Sequence, residues 1–229
     1  MNRDAPDRTT RIVIAEDHTL IAEGLRNLLE AEFESVAVVR NGRELLDIVT
    51  VLKPHVALVD IGMPLLNGIE AIPQLSKLSP ATKVVVLTAH NEPQYVIEAF
   101  RAGASGFVQK CCAFSELMIA IRCVLAGDTY VTPMVVDQAV ETASVPAPGP
   151  TLTSRQREVL QLVSEGRTAK EIANVLKLSV KTAVYHKTSI MDKLGLHTIA
   201  ELTRYALEHG IGTTTYHPLA KGASTVRNC

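Results

Sequence analysis

The stretch Val56-Ala57-Leu58-Val59-Asp60-Ile61-Gly62-Met63-Pro64 decides how the first half of this chain folds. Four apolar residues in succession, without polar alternation, suit a strand buried on both faces, and such strands belong to parallel sheets covered by helices. The run closes on an aspartate, with glycine and proline just beyond to break the strand. Three other apolar runs also end in polar chemistry: Ile12-Val13-Ile14-Ala15 before Glu16-Asp17, Val84-Val85-Val86-Leu87 before Thr88, and Gly106-Phe107-Val108-Gln109 before Lys110. In an open parallel sheet the carboxyl ends of the strands lie along one edge. Glu16, Asp17, Asp60, Thr88 and Lys110 are therefore expected to share one crevice holding three carboxylates, a hydroxyl and an ammonium.

Between these runs the apolar residues change period. Leu20, Ile21, Leu25, Leu28 and Leu29 follow the first run, and Leu45, Leu46, Ile48, Val49 and Leu52 follow Val36-Ala37-Val38-Val39. Ile69, Ile72, Leu75 and Leu78 follow Asp60; Val96, Ile97, Ala99 and Phe100 follow the fourth run; Leu117, Met118, Ile121 and Leu125 follow the fifth. Each set is spaced for one helix face. Five strands alternating with five helices predict a doubly wound α/β domain with a five-stranded parallel sheet and right-handed crossovers.

The chain has 229 residues and a net charge of -1, which conceals an asymmetry. Residues 1–150 carry 12 Lys/Arg against 18 Asp/Glu, net -6, whereas residues 151–229 carry 11 against 6, net +5. Two domains with different partners are expected. The stretch Ser144-Val145-Pro146-Ala147-Pro148-Gly149-Pro150 disfavours helix and strand and suits an extended linker. The expected organisation is an α/β domain at 8–130, a linker at 131–150, a helical domain at 151–212 and a mobile tail at 213–229. Met1 to Asp7 lacks an apolar core, and no apolar stretch reaches the roughly 18 to 20 residues of a spanning helix, so a cytoplasmic location without membrane contact is expected. Four cysteines, with Cys111-Cys112 adjacent, form neither a disulfide framework nor a spaced metal site. They read as ordinary small apolar residues, with redox sensing as the alternative.

The second half reads as four helices. Thr153 with Gln156 and Thr168 with Glu171 have capping-box spacing, Gly166 suits a left-handed helix end, and Ser179 caps a third helix running to about Leu194 before Gly195. A fourth helix spans roughly Thr198 to His209. The short turn at Leu178 between the second and third helices predicts a helix-turn-helix. On the third helix Ala183, His186, Ile190 and Leu194 share a face assigned to the core, with His186 a structural, hydrogen-bonded histidine. Lys181, Val184, Tyr185, Thr188 and Asp192 lie opposite. Valine and tyrosine together on an outer face suit contact with base edges in a major groove. Ser179, Lys181, Thr182 and Lys187 are placed to hold phosphates beside it.

Motifs now accumulate into a resemblance. Over about residues 10 to 130, Glu16-Asp17, Asp60-Ile61-Gly62-Met63-Pro64, Asn67-Gly68, Thr88-Ala89 and Gly103 to Lys110 resemble the receiver domain of two-component response regulators. Over about 150 to 210, Leu152 to Leu160, Gly166, Lys170-Glu171-Ile172-Ala173, Leu176, Leu178-Ser179, Thr182, His186 and Ile190 to Gly195 resemble the LuxR-type DNA-binding domain. The order of domains is similar to the NarL/FixJ class. The resemblance implies that Asp60 accepts a phosphoryl group from a sensor histidine kinase, and that Glu16, Asp17, Asp60 and the Gly62 carbonyl bind Mg²⁺. It implies that Thr88 and Lys110 stabilise the phosphoryl group, that Thr88 and Phe107 form a switch pair, and that the protein binds double-stranded DNA as a dimer. Enzymatic activity beyond self-phosphorylation and self-dephosphorylation of Asp60 is not expected. Opposite net charges further suggest an inhibitory contact between the domains.

The chain departs from the pattern in places. Cys111-Cys112 follows Lys110, where proline or aspartate is common; Ser154 stands where proline is common, Gln156 where glutamate is, and Val184 where many relatives carry lysine. Two other classes share some of these features. A haloacid-dehalogenase-type phosphohydrolase needs an aspartate two positions after Asp60, where this chain has Gly62. A protein-interaction adapter would also use Val184 and Tyr185, but without salt-dependent binding to duplex DNA.

Overall fold

The computed structural model describes residues 7–89, 93–112, 114–133 and 152–212. The proline-rich stretch from 144 to 150, most of the expected linker and the whole expected tail from 213 to 229, with Cys229, lie outside the described residues. The first domain alternates β1 (Asp7–Ala15), α1 (Thr19–Leu29), β2 (Phe33–Val39), α2 (Gly42–Leu52), β3 (Val56–Asp60), α3 (Gly68–Leu78), β4 (Lys83–Thr88), α4 (Pro93–Ala102), β5 (Gly106–Gln109) and α5 (Phe114–Leu125). These are the five strands and five helices that the changing period implied.

All strand pairs are parallel, in the order β2-β1-β3-β4-β5-β6. The sheet is covered on both faces, as unalternating apolar strands require. One core joins Val13, Ala57, Val59, Val86 and Phe107 to α2, α3 and α4. The other joins Ile12, Ile14, Leu58, Val85 and Val108 to α1 and α5. The sixth strand, β6 (Tyr130–Val131), extends the expected five and pairs Gly106 with Tyr130 and Phe107 with Val131. Two residues are too short to show a period, so only the tertiary pairing reveals it. The Tyr130 hydroxyl donates to Glu116 Oε1 at 3.2 Å. Burial, reinforced by that carboxylate, pushes its pKa up to about 12.

The segment between β3 and α3 is tightly constrained. A hydrogen bond from Leu66 N to Pro64 O, 2.8 Å, closes a three-residue turn around Leu65, whose φ is +65°. A γ-turn with positive φ is a strained arrangement, and a β-carbon at that φ costs on the order of 1–3 kcal/mol. Two glycines let the neighbouring backbone close in. A Cβ on Gly42 would overlap the Leu66 carbonyl oxygen, and one on Gly68 would overlap the Asp60 carbonyl oxygen. Gly68 N also donates to Ile61 O at 3.1 Å.

The second domain comprises α6 (Ser154–Ser164), α7 (Ala169–Val175), α8 (Val180–Leu194) and α9 (Ile199–Glu208). Capping boxes at Thr153/Gln156, Thr168/Glu171 and Thr198/Glu201 start α6, α7 and α9, and Ser179 caps α8. Gly166 and Gly195, at φ +77° and +65°, end their helices in the left-handed region. Val159, Leu160, Leu162, Ile172, Ala183, Ile190, Leu202 and Ala206 fill the core. His186 is half-buried and meets Tyr185 edge-on at 5.8 Å between ring centroids. The core position expected for it is therefore only partly realised, because the helix rolls Ala183 and Ile190 to the centre and leaves His186 at the margin.

The two domains meet along α6. Glu158 Oε2 pairs with Arg43 of α2 at 2.6 Å, Arg157 with Glu70 of α3 at 3.1 Å, and Ser154 Oγ donates to Glu70. Gln74 of α3 donates to Glu158 at 3.3 Å. Ion pairs thus run in both directions, so local complementarity and not the gross charge difference sets this contact. Gln161, fully buried, accepts from Asn67 N at 2.9 Å and donates to Met63 O at 2.8 Å. Glu165 accepts from Leu65 N at 2.9 Å, and the Leu65 side chain packs against the second domain's core. Among the described residues no helix is long and apolar enough to cross a membrane.

Two outcomes are expected. Gly68→Ala forces a methyl group against the β3 backbone, an overpacking that costs about 1–3 kcal/mol, read as a lowered urea midpoint. Burial pushes the Glu165 carboxyl up, opposed in part by the Leu65 N–H, Gln161 and Arg167. A raised folded value means that its contribution to stability is fully present below the unfolded carboxylate value, near about 4.3, and is lost as pH rises through the folded one. Glu165→Gln is expected to flatten that part of the pH profile of the denaturation midpoint; an unchanged profile would contradict this.

Candidate functional site

Parallel pairing in register brings the ends of β1, β3, β4 and β5 to one edge. Ala15 pairs with Val59, Asp60 with Leu87, and Thr88 with Gln109. Glu16 and Asp17 leave β1, Asp60 ends β3, Thr88 ends β4 and Lys110 follows β5, so the five residues expected in one crevice lie at one edge. Lys110 Nζ sits 2.7 Å from Glu16 Oε2 and 2.9 Å from Asp60 Oδ2. Burial alone would lower the lysine's pKa, but the Asp60 and Glu16 carboxylates outweigh it and the net shift is upward, so Lys110 is an ammonium at neutral pH.

Glu16, Asp60 and Thr88 are buried. Oxygens of Glu16, Asp17 and Asp60 and a ring nitrogen of His18 lie within 4.8 Å of one another. Gly62 lies beside them, at a position where a Cβ would stand 3.7 Å from Asp60 Oδ2. Asp17 Oδ1 is buried, with His18 Nδ1 2.9 Å away. A buried carboxylate oxygen among two further carboxylates is the donor set a hard divalent cation takes, and one lysine among the described residues leaves negative charge in excess. The residues present therefore fit a metal ion of that kind.

Sequence reasoning passed over His18. Its N–H donates to Glu16 Oε1 at 3.1 Å, and Nδ1 lies 2.9 Å from both Glu16 Oε1 and Asp17 Oδ1. The available signal was its position directly after the acidic pair. Phe107 is fully buried in the core beneath α2 to α4, one strand from Val86. Cys111 is exposed and Cys112 half-buried. Burial, with Glu116 nearby, pushes the Cys112 thiol up, which lowers its reactive thiolate fraction.

The second candidate surface is the outer face of α8. Val184 is 43% and Tyr185 68% exposed, and Lys181 and Thr188 are also exposed. Thr182 and Lys187 are half-buried at its margins. Val180, 48% exposed, extends the apolar strip by one turn and was missed because it directly follows the cap. Ser179 Oγ accepts from Thr182 N at 3.0 Å, so part of its hydrogen-bonding capacity serves the helix start. Thr188 Oγ1 donates to Val184 O at 3.2 Å. Docking through α6 leaves this face open, so the inter-domain contact does not mask it as a covering lid would.

Residues 12–122 match the family model for the response regulator receiver domain, and residues 150–206 match that for bacterial regulatory proteins of the luxR family. The chain is 36% identical over 208 residues to the transcriptional regulatory protein MctR of Rhizobium johnstonii, covering 88% of this chain and 94% of the relative. It is 37% identical over 210 residues to the oxygen regulatory protein NreC of Staphylococcus aureus, covering 86% and 97%. Among solved structures, RcsB of Salmonella typhimurium superposes with a TM-score of 0.63 at 28% identity, covering 88% of this chain and 98% of that one. RcsB has also been solved bound to promoter DNA with the phosphomimetic BeF3-, TM-score 0.53 at 29% identity, covering 86% and 98%. Two domains in this order, matched along nearly the whole length of relatives above 30% identity, make the chain a member of the two-component response regulators with a LuxR-type DNA-binding domain.

Proposed function

We propose that this response regulator accepts a phosphoryl group on Asp60 from a sensor histidine kinase and binds specific DNA sites through α8 to control transcription in the cytoplasm. The observation that carries the first half is the position of the Lys110 ammonium, 2.9 Å from a buried aspartate that ends a strand beside two further acids. Glu16, Asp17, Asp60 and the Gly62 carbonyl would hold Mg²⁺, which supplies neutralisation of charge on the phosphoryl oxygens. An Asp60 carboxylate oxygen attacks phosphorus, the P–N bond to the donor imidazole breaks, and the nitrogen keeps the bonding electron pair. Lys110 and the Thr88 hydroxyl stabilise the equatorial oxygens as charge spreads over them. In self-dephosphorylation a water oxygen attacks the same phosphorus, the P–O bond to Asp60 breaks with the electron pair left on the carboxylate, and inorganic phosphate leaves. This is a switch turning over a bond on itself and not an enzyme acting on a separate substrate.

For the second half, the exposed strip of Val180, Val184 and Tyr185, flanked by Lys181 and Lys187, has the form of a recognition helix. Base-edge contact by apolar and hydroxyl groups suits thymine methyls and acceptors, and the lysines suit phosphates. Few cations on the helix imply modest affinity per subunit, so pairing of two copies on adjacent half-sites would supply the rest.

Asp60→Asn is expected to abolish phosphoryl incorporation from a small-molecule donor and any donor-dependent change in DNA affinity; radiolabel uptake equal to wild type sinks the assignment. Lys181→Ala should weaken binding to all duplexes and reduce the salt slope by about 1, while Tyr185→Ala should cost about 1–3 kcal/mol on the cognate site and relax specificity. Binding insensitive to salt would favour a protein partner over DNA.

A further inference from the structure

His18 directly follows the acidic pair, and its side chain has no part in starting the helix that it precedes. It stands at the N-cap of α1 in extended backbone, φ -78° and ψ 106°, yet makes no side-chain capping bond. The ring turns back on the acids instead, with Nδ1 2.9 Å from Glu16 Oε1 and 2.9 Å from Asp17 Oδ1. Lys110 occupies the other side of the pocket, 2.7 Å from Glu16 Oε2 and 2.9 Å from Asp60 Oδ2. The two sides are therefore furnished differently, one with an ammonium and one with an imidazole, and the Glu16 carboxylate is shared between them. Ligand atoms of Glu16, Asp17, His18 and Asp60 all lie within 4.8 Å of one another. Adjacent ligand atoms on an octahedral ion with bonds of about 2.1 Å stand about 3.0 Å apart. Nδ1 thus has, to each of two carboxylate oxygens, the separation of neighbours around one ion. The His18 N–H donates to Glu16 Oε1 at 3.1 Å, which fixes the backbone from which the ring projects, and the side chain is 55% exposed, open to an ion arriving from solvent.

We propose that His18 is a metal ligand, and that it shifts the preference of the acidic pocket from Mg²⁺ toward a transition ion of the Fe²⁺ to Zn²⁺ series. This rests on the pocket being a metal site. Carboxylate, carbonyl and water oxygens suit Mg²⁺, whereas imidazole nitrogen suits Fe, Ni, Cu and Zn. Mg²⁺ also gives up its waters reluctantly, so it gains little from a nitrogen that would have to displace one. As a ligand the neutral ring offers the Nδ1 lone pair between the two carboxylate oxygens that it faces. A protonated ring at the same place would act in the opposite sense, as a counter-ion to Glu16 and Asp17 that repels every incoming cation. The two roles therefore differ in sign, and removing the ring distinguishes them.

The test uses the full chain with Co²⁺ and Mg²⁺ as probes. Affinities for both ions are measured by calorimetry, and Mg²⁺ is used to displace Co²⁺, in the wild type, His18→Ala, His18→Gln and Asp17→Asn. Proton NMR of the Co²⁺ form reports a coordinated imidazole through strongly shifted ring resonances. The wild type is expected to bind Co²⁺ more tightly than Mg²⁺ and to show such resonances. His18→Ala and His18→Gln are expected to lose them and to weaken Co²⁺ binding by about tenfold or more, the scale seen when even a ligand's hydrogen-bond partner is removed. Their Mg²⁺ affinity falls less, so the preference for Co²⁺ narrows, and retained Mg²⁺ binding shows that each variant is folded around its pocket. Shifted imidazole resonances that persist in both His18 variants would overturn the proposal, as would a Co²⁺-to-Mg²⁺ preference equal to that of the wild type. Tighter binding of both ions by His18→Ala would overturn it by making the ring a counter-ion. Failure of Mg²⁺ to displace Co²⁺ in the wild type, or binding of both ions undiminished in Asp17→Asn, would instead defeat the pocket as a metal site, and the role of His18 with it.

Discussion

Like charges crowded at one sheet edge are the constraint from which this molecule is organised. Parallel pairing brings Glu16, Asp17 and Asp60 together, with a buried Glu16 and Asp60 and, among the described residues, one ammonium, Lys110, within 3 Å of both. Three carboxylates against one cation leave an imbalance that burial makes expensive, since desolvation disfavours each charged form. A pocket of that composition is poised for a cation and for a ligand bearing oxygens that a cation can bridge. The strands that create it are among the least exposed in the chain, so the imbalance is held by a core that has no cheap way to relax.

The β3–α3 segment leads outward from that edge. It is short, holds a left-handed leucine, and is enclosed by Gly42 and Gly68. Its outer contacts come from another domain, through Gln161 and Glu165, with Arg43–Glu158 and Glu70–Arg157 beside them. Partly exposed ion pairs of this kind contribute little to net stability and mainly select one geometry over others. The neutral, fully satisfied Gln161 has no charge to desolvate, which makes it the more effective fixed point. Docking therefore depends on hydrogen-bond geometry at the segment that follows Asp60.

Periodicity made the α/β half legible. Runs such as Val56 to Val59 and Val84 to Leu87, followed by helical spacing, identify buried strands and their covering helices because both faces of a parallel sheet must be apolar. The pocket was legible for the same reason, since strand ends in such a sheet share an edge. The caps at Thr153, Thr168 and Ser179 and the glycines at 166 and 195 likewise act locally and could be read locally. β6 was missed because two residues carry no period. The buried side of α6 was missed for a different reason. Ser154, Glu158, Gln161 and Glu165 form one stripe of the helix, but a polar stripe is the mark of a solvated face, and nothing local distinguishes it from one that meets complementary groups.

What the chain's own order of residues determined is the class of fold, the boundaries of most elements, the identity of the acidic edge and the outward face of α8, because each follows from spacing along a single strand or helix. Tertiary structure alone decided that α6 packs on the acceptor loop, that ion pairs cross the interface in both directions, and that the recognition face stays open when the domains are docked. Those outcomes depend on the relative placement of groups as far apart in sequence as Arg43 and Glu158, and hydrogen bonding between such groups is a matter of distance and angle that no periodicity encodes.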